Sequence, residues 1–378
     1  MKTKAAVLPG VGEDWKIEEV ELGDPVAGEV QVRLVATGLC HSDHHVRTGD
    51  ESGGEVDPFP IVGGHEGAGV VTKVGAGVTR LAPGDHVVTA FIPACGVCDP
   101  CSRGLQNLCD LGMYLFEGVA IADQTHRVTQ NGVGVTQQCL LGTFSPYITV
   151  HEASVVKIED DIPLHLAALL GCGVATGWGS AVEIGDTRAD DTVVVVGVGG
   201  VGMNAVQGAR AAGARFVIAI DPVPFKLEMA KKFGATHTFD SVEAALPEIE
   251  AITWGKMANT VILTQGRMEG EYLQPALTMT AKGGQVVVTG LGSATAEDVK
   301  LSLYELTLLQ KRVQGAIFGG AGPRSMVPKL LNEYRAGRLN LEDLVTRTYR
   351  LEAINQAYDD MLEGRNIRGL VLFDDSDY

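Results

Sequence analysis

The sequence predicts a two-domain α/β protein, with one domain built on a doubly wound parallel sheet and the other mainly antiparallel β. Three observations carry this. The stretch "DDTVVVVGVGGVGMNAVQGARAAGARFVIAID", residues 190–221, runs from a valine strand through closely spaced glycines into an alanine-rich helix and a second strand. After it, the strand-like runs "TVILTQG", "GGQVVVTGLG" and "RVQGAIFGG" alternate with helical patterns such as "PFKLEMAKKFG". Before residue 150 the chain instead shows short valine-rich strands punctuated by Gly and Pro, such as "EVQVRLVATG" and "GAGVVTKVGAGV", as antiparallel sheets do.

At 378 residues the chain can bury two cores. Its 45% hydrophobic and 20% charged content is that of an ordinary soluble globular protein. Thirty Lys and Arg against 47 Asp and Glu give a formal charge of -17, which repels polyanions, so nucleic acid and anionic lipid are not expected as partners. The start, "MKTKAAVLPGVGEDWKIEE", lacks the apolar run of a secretory leader, and a cytoplasmic protein is expected. The uncharged stretch 162–182, rich in Gly and carrying His, Cys and Thr, reads as buried helix and turn rather than a bilayer span.

The glycine stretch has a mechanism. Gly197, Gly199 and Gly202 form G-x-G-x-x-G between strand and helix, with Asp221 about 20 residues on, which is the Rossmann dinucleotide fingerprint. The glycines let a pyrophosphate approach the helix N-terminus, where free N–H groups point at it. Asp221 would accept from ribose hydroxyls and repel a 2′-phosphate, favouring NAD over NADP. Lys226 is placed to contact the adenosine side, or is a solvated lysine at the start of a helix.

Metal chemistry shows in the cysteines. Cys95, Cys98, Cys101 and Cys109 read C-x2-C-x2-C-x7-C, short arcs that can wrap one zinc ion tetrahedrally. A ferredoxin-type iron–sulfur run has three residues and a proline at its end, whereas here seven residues intervene and Asp110 follows. A four-thiolate zinc is coordinatively closed, so these cysteines hold a loop and the chemistry lies elsewhere. Three more segments carry ligands: "GLCHSDHH" with Cys40, "GGHEGAG" with His65 and Glu66, and "LLGCGVATGWG" with Cys172. Two thiolates and an imidazole make an open zinc site, yet spacing does not join these segments. Singly, the cysteines also read as small buried hydrophobes and His65 as a core histidine. Cys139 is expected to serve packing.

With "GHEGAG", the four-cysteine lobe, "GVGGVG" and "GAIFGG" in order along the whole chain, the sequence resembles the zinc-dependent medium-chain alcohol dehydrogenases. Within that family it is most similar to actinobacterial nicotinoproteins assayed with N,N-dimethyl-4-nitrosoaniline (NDMA). The resemblance implies a GroES-like catalytic domain over residues 1–173 with a structural zinc lobe at about 95–109, a Rossmann coenzyme domain over 174–316, and a return to the catalytic domain over 317–378. It implies two zinc ions per subunit and NAD(H), and a homodimer or homotetramer joined through coenzyme domains at "RVQGAIF". Cys40, His65 and Cys172 are then the catalytic zinc ligands, the Cys2His set already known for alcohol dehydrogenase, with Glu66 as an alternative or neighbouring carboxylate. Asp43 would orient His65. Ser42 would take the alcohol proton, His45 would pass it to solvent, Arg368 would bind the pyrophosphate, and Phe91 and Leu141 would line the substrate pocket. The implied chemistry interconverts an alcohol, expected to be primary, and its aldehyde by hydride transfer to NAD. A nicotinoprotein would pass electrons to an external acceptor, in the family context a mycofactocin-linked carrier.

Two departures stand out: His41 occupies a position where many relatives have a pyrophosphate-binding arginine, and the acidic insertion "DESGGEVDPFP" is longer than usual, either a cover for the cofactor or a solvated loop. Thiol-dependent formaldehyde dehydrogenases share both zinc sites but typically lack a histidine where His45 stands, which favours free alcohols. A catalytically silent zinc- or NAD-binding protein would keep the fold without requiring Ser42, His45 and Glu66.

Overall fold

The computed structural model describes residues 1–50 and 58–378, so most of the acidic insertion at 50–60 lies outside the described residues. The chain divides into two compact units, one of residues 1–172, 322–331 and 341–378, the other of residues 173–321 and 332–340.

Among the described residues, ten strands precede the first unit's boundary: β1 (Lys2–Leu8), β2 (Lys16–Leu22), β3 (Glu29–Gly38), β4 (Ile61–Val62), β5 (Glu66–Val74), β6 (His86–Thr89), β7 (Val128–Gln130), β8 (Val133–Gln137), β9 (Tyr147–His151) and β10 (Val155–Ile158). β1, β2, β7, β8 and β4 close into a barrel. The β7–β8 hairpin turns on Asn131 and Gly132, both at positive φ (51° and 77°), as a two-residue Asn-Gly turn requires. β3 is the spine of the larger sheet. It pairs antiparallel with β5 and β9, and its mostly buried residues reflect cover on both faces.

The second unit holds β11 (Thr192–Val196), β12 (Phe216–Ile220), β13 (His237–Phe239), β14 (Ala258–Leu263), β15 (Thr280–Val288) and β16 (Arg312–Gly315). They pair in parallel in the order β13-β12-β11-β14-β15-β16, the doubly wound order with its reversal point beside β11. Val193, Val194 and Val195 of β11 are completely buried, which is why that strand reads as an unbroken apolar run. The chain then contributes β17 (Val345–Tyr349) and β18 (Arg368–Leu372) to the first unit, β18 lying antiparallel to β3.

The return is less simple than a single crossing at residue 317. Residues 317–321 stay with the second unit because Gly319 and Gly179 are in backbone contact, where a Cβ on either would collide. Residues 332–340 rejoin that unit, where the Gln207 amide donates to the Asn340 carbonyl (3.2 Å) and accepts from the Asn340 N–H (2.7 Å). Among the described residues no single helix is long and apolar enough to cross a membrane, and residues 166–181 are buried throughout.

Candidate active site

Four donors from three distant segments converge in the first unit. Cys40 follows β3, His65 and Glu66 open β5, and Cys172 ends the unit's first segment; their ligand atoms all lie within 4.8 Å of one another. Local sequence explains the approach. Gly38 leaves room that a Cβ would deny, since the Glu66 carboxylate and the Arg368 guanidinium occupy that space. Gly64, at φ 87°, turns the chain into His65 against Phe144 and Thr143. Buried hydroxyls and an amide then brace the ligand strand: Thr37 Oγ1 donates to the Glu66 carbonyl (2.7 Å), Thr89 Oγ1 accepts from Gly67 N–H (2.8 Å), and Gln138 Oε1 accepts from Gly64 N–H (2.8 Å).

Cys40 is the extended N-cap of the helix His41–Thr48. Its N–H donates to Asp43 Oδ2 (3.0 Å), and Asp43 Oδ1 lies 2.6 Å from His65 Nδ1, so the carboxylate faces the ring nitrogen turned away from the cluster. Ser42 Oγ is 3.7 Å from Cys40 Sγ, and His45, three residues along, shares that helical face. His45 is buried, its Nδ1 bonded to no described residue.

The electrostatics describe a donor set that needs a cation. Hydrogen bonding from Cys172 is the largest cause holding the Cys40 thiol well below its ordinary value, while the same contact and burial push Cys172 well above it. Burial raises Glu66 to about 7 against the pull of Arg368. Burial works against the His65 imidazolium, but Asp43 and the two sulfurs outweigh it and hold the ring well above its usual value. Ionising both thiols in so small a volume calls for a dication, and two thiolates with one imidazole suit zinc.

The second cluster has its own geometry. Cys95 Sγ and Cys101 Sγ are 3.9 Å apart and Cys98 Sγ and Cys109 Sγ 3.8 Å, far beyond a disulfide but close to the edge of about 3.8 Å that metal–sulfur bonds of about 2.3 Å give a tetrahedron. The N–H groups of Val97 and Cys98 both point at Cys95 Sγ (3.4 Å each) and, against burial, help bring that thiol down to about 7. Cys139 belongs to neither cluster.

In the second unit, Gly197 takes φ 84°, and a Cβ on Gly202 would run into the Gly197 carbonyl. A Cβ on Gly199 would meet nothing within 4 Å, leaving an open cradle at the N-terminus of the helix Gly200–Ala211, which no side chain caps. That arrangement fits a pyrophosphate. Asp221 does more than the fingerprint implies: its Oδ2 accepts from Val198 N–H (2.9 Å) inside the glycine turn and its Oδ1 from Val223 N–H (3.0 Å), with Lys226 Nζ 3.8 Å away. Gly202→Ala is expected to weaken NAD(H) binding on the order of 100-fold, about 3 kcal/mol, by forcing the turn open. Nicotinamide fluorescence titration measures it.

Two of the expected residues, Leu141 and Arg368, stand differently from their sequence reading. Leu141, expected on the pocket wall, is fully buried in the first unit's core, because positive φ at Leu140 and Gly142 turns it inward. Phe91 does flank the cluster, its ring 5.8 Å from that of His65. Arg368, expected on the pyrophosphate, is 3% exposed and pairs through Nη2 with Glu66 and with the Leu39 carbonyl (3.1 Å), while its Nε is buried without a partner among the described residues. Sequence reading missed Thr37, Thr89, Gln138 and Tyr358, whose roles lie in partners remote along the chain.

The fold and the two clusters define a zinc-binding dehydrogenase, and the chain belongs to the zinc-dependent medium-chain alcohol dehydrogenase family. Residues 26–160 match the alcohol dehydrogenase GroES-like domain and residues 200–335 the zinc-binding dehydrogenase domain. The chain is 52% identical over 377 residues to alcohol dehydrogenase B of Mycobacterium tuberculosis, covering 100% of both. It is 48% identical over 372 residues to an NDMA-dependent alcohol dehydrogenase of Amycolatopsis methanolica, covering 98% of this chain and 99% of the relative. Among solved structures, benzyl alcohol dehydrogenase from Acinetobacter calcoaceticus superposes with a TM-score of 0.90 at 30% identity, over 99% of this chain and 100% of that one. The protein is therefore an oxidoreductase, a zinc-dependent alcohol dehydrogenase.

Proposed function

We propose that the enzyme interconverts a primary alcohol and its aldehyde at the Cys40, His65 and Cys172 centre, keeps NAD(H) bound between turnovers and passes electrons to an external acceptor. The convergence of those three ligands beside Ser42 carries the alcohol reading. The whole-length likeness to an NDMA-dependent relative supports the bound coenzyme. Zinc held there supplies Lewis acidity toward the alcohol oxygen. NAD supplies the hydride acceptor.

The chain's own residues do the rest. Ser42 Oγ takes the hydroxyl proton, and His45, on the same helical face, relays it outward. Asp43 fixes the His65 tautomer, leaving Nε2 for the metal. Arg368 pairs with Glu66 at the edge of the centre, which keeps that side chain apart from the three working ligands. Cys95, Cys98, Cys101 and Cys109 would hold the second zinc, closed to substrate. The proposed setting is cytoplasmic, and the proposed acceptor a mycofactocin-type redox carrier. The proposed dimer or tetramer pairs the sheet edge β16, near which Leu303, Tyr304 and Leu308 are exposed.

The deciding experiment desalts the purified protein exhaustively, denatures it, and quantifies zinc and NAD(H) per subunit, with the mass of the native sample read by light scattering. Two zinc ions and near-stoichiometric coenzyme, with alcohol-driven bleaching of NDMA, are expected. Two zinc ions without coenzyme would replace the nicotinoprotein with an exchanging dehydrogenase. A formaldehyde rate that appears only with added thiol would move the substrate to a thiol adduct.

A further inference from the structure

Tyr358, in the helix Ile354–Leu362, heads the fully buried side chains by volume. Its ring stacks near those of Trp15 and His44 (6.3 Å each, 25° between planes) and meets Phe144 edge-on at 6.3 Å. A phenylalanine would fill that space equally well. The hydroxyl is what packing leaves unexplained, because a buried hydroxyl costs stability unless it finds a partner. It donates to Asp43 Oδ2 at 2.9 Å, across 315 residues of chain. Burial, then the neighbouring Asp43 charge, hold the phenol well above its ordinary pKa, so it stays a donor at every working pH.

We propose that Tyr358 is a positioning residue for the metal ligand His65, its hydroxyl pinning one oxygen of Asp43 so that the other is presented to the imidazole. The inference rests on the zinc reading of the Cys40, His65 and Cys172 centre. Asp43 Oδ2 receives two donors, the Cys40 N–H (3.0 Å) and the Tyr358 O–H, and Oδ1 receives His65 Nδ1 (2.6 Å). The two bonds on Oδ2 come from separate elements, one from the residue before the His41–Thr48 helix and one from a helix at the other end of the chain, and with the Oδ1 contact they restrain rotation of the carboxylate. A fixed Oδ1 selects the Nδ1–H tautomer and sets the plane in which His65 offers Nε2. With the O–H removed, Oδ2 keeps a single backbone donor and Asp43 regains rotation about its side-chain bonds. The cost then falls on His65, and the four-cysteine centre is untouched.

The test uses the zinc-loaded enzyme and compares wild type, Tyr358→Phe and Trp15→Phe. Each is exposed to a chelator while the two metals are followed separately, and each is also loaded with cobalt at the catalytic centre for its absorption spectrum. Tyr358→Phe is expected to lose the catalytic metal about tenfold faster, the low end of the effect of removing a partner of a metal-bound histidine. Its cobalt bands are expected to shift and its four-cysteine metal to leave at the wild-type rate. Trp15→Phe disturbs the same packing but not the hydrogen bond, and is expected to keep the wild-type catalytic metal. A wild-type loss rate and cobalt spectrum in Tyr358→Phe would overturn the proposal, as would equal catalytic-metal loss in Trp15→Phe. Should the Phe variant not fold, uniform 3-fluorotyrosine keeps each hydroxyl but makes it a stronger donor, so the catalytic metal is expected to leave more slowly than in wild type while the four-cysteine metal leaves at the same rate; unchanged loss of the catalytic metal would again overturn the proposal. Wild type holding no metal at the Cys40, His65 and Cys172 centre would instead defeat the zinc reading itself, before any variant is made.

Discussion

Cys40→Ser is expected to cut turnover about 10³-fold or more while leaving the protein folded. Lewis-acid stabilisation by a bound metal is worth several kcal/mol, and each 1.36 kcal/mol is tenfold in rate. A serine hydroxyl offers neither the charge nor the softness of the thiolate. The fold is spared for a local reason: Cys40 is the N-cap of the helix His41–Thr48, and Ser is among the best residues at that position. Its N–H keeps its bond to Asp43 Oδ2. Glu66 does not rescue the centre, because Arg368 already holds its carboxylate. Steady-state rates with saturating alcohol, together with the thermal midpoint, check both halves. A variant retaining a tenth of wild-type turnover would remove Cys40 from the catalytic metal. Loss of the fold would make the centre structural.

What could be read in advance follows from how locally each feature is encoded. The coenzyme half declares itself because Gly197, Gly199, Gly202 and Asp221 act within one strand–turn–helix–strand unit, and the structure adds only that Asp221 also bonds the turn it follows. The four-cysteine lobe is equally local. The Cys40, His65 and Cys172 centre is not, because three segments meet only after β3 and β5 pair, and no spacing rule reports that pairing. Resemblance supplies the set there, because taken singly Cys40 and Cys172 read as small buried hydrophobes. Tyr358 was invisible for a different reason. On its helix it falls on the buried face with Ile354 and Ala357, and a core aromatic at such a position says nothing about its hydroxyl. Leu141 failed in the opposite direction: its backbone is set by consecutive left-handed turns around Cys139 and Leu140, which apolar patterning does not register.

Cys95→Ser tests the other half of the division of labour, and its expected loss is of stability. The lobe at 95–109 has little to hold it otherwise. Its only regular elements are Asp99–Ser102 and Gln106–Leu108, each too short to persist alone, and Val97 and Leu108 are 85% and 50% exposed. What organises it is convergence on four sulfurs, with Cys95 Sγ receiving the N–H groups of Val97 and Cys98. A structural zinc contributes its binding free energy directly to folding, about 10–16 kcal/mol in isolated zinc-binding peptides. In a lobe already tethered at both ends part of that is supplied by the rest of the unit, so a loss of several kcal/mol is expected, seen as a thermal midpoint lower by roughly 5–10 °C. The variant should bind one metal rather than two, be cut by protease within the lobe, and retain turnover in whatever fraction stays folded, since no lobe cysteine belongs to the catalytic cluster. Calorimetry with metal analysis reads the first two quantities. An unchanged midpoint with one metal missing would show that the lobe is held by packing, and equal loss of folding in Cys40→Ser and Cys95→Ser would erase the distinction between a working zinc and a structural one.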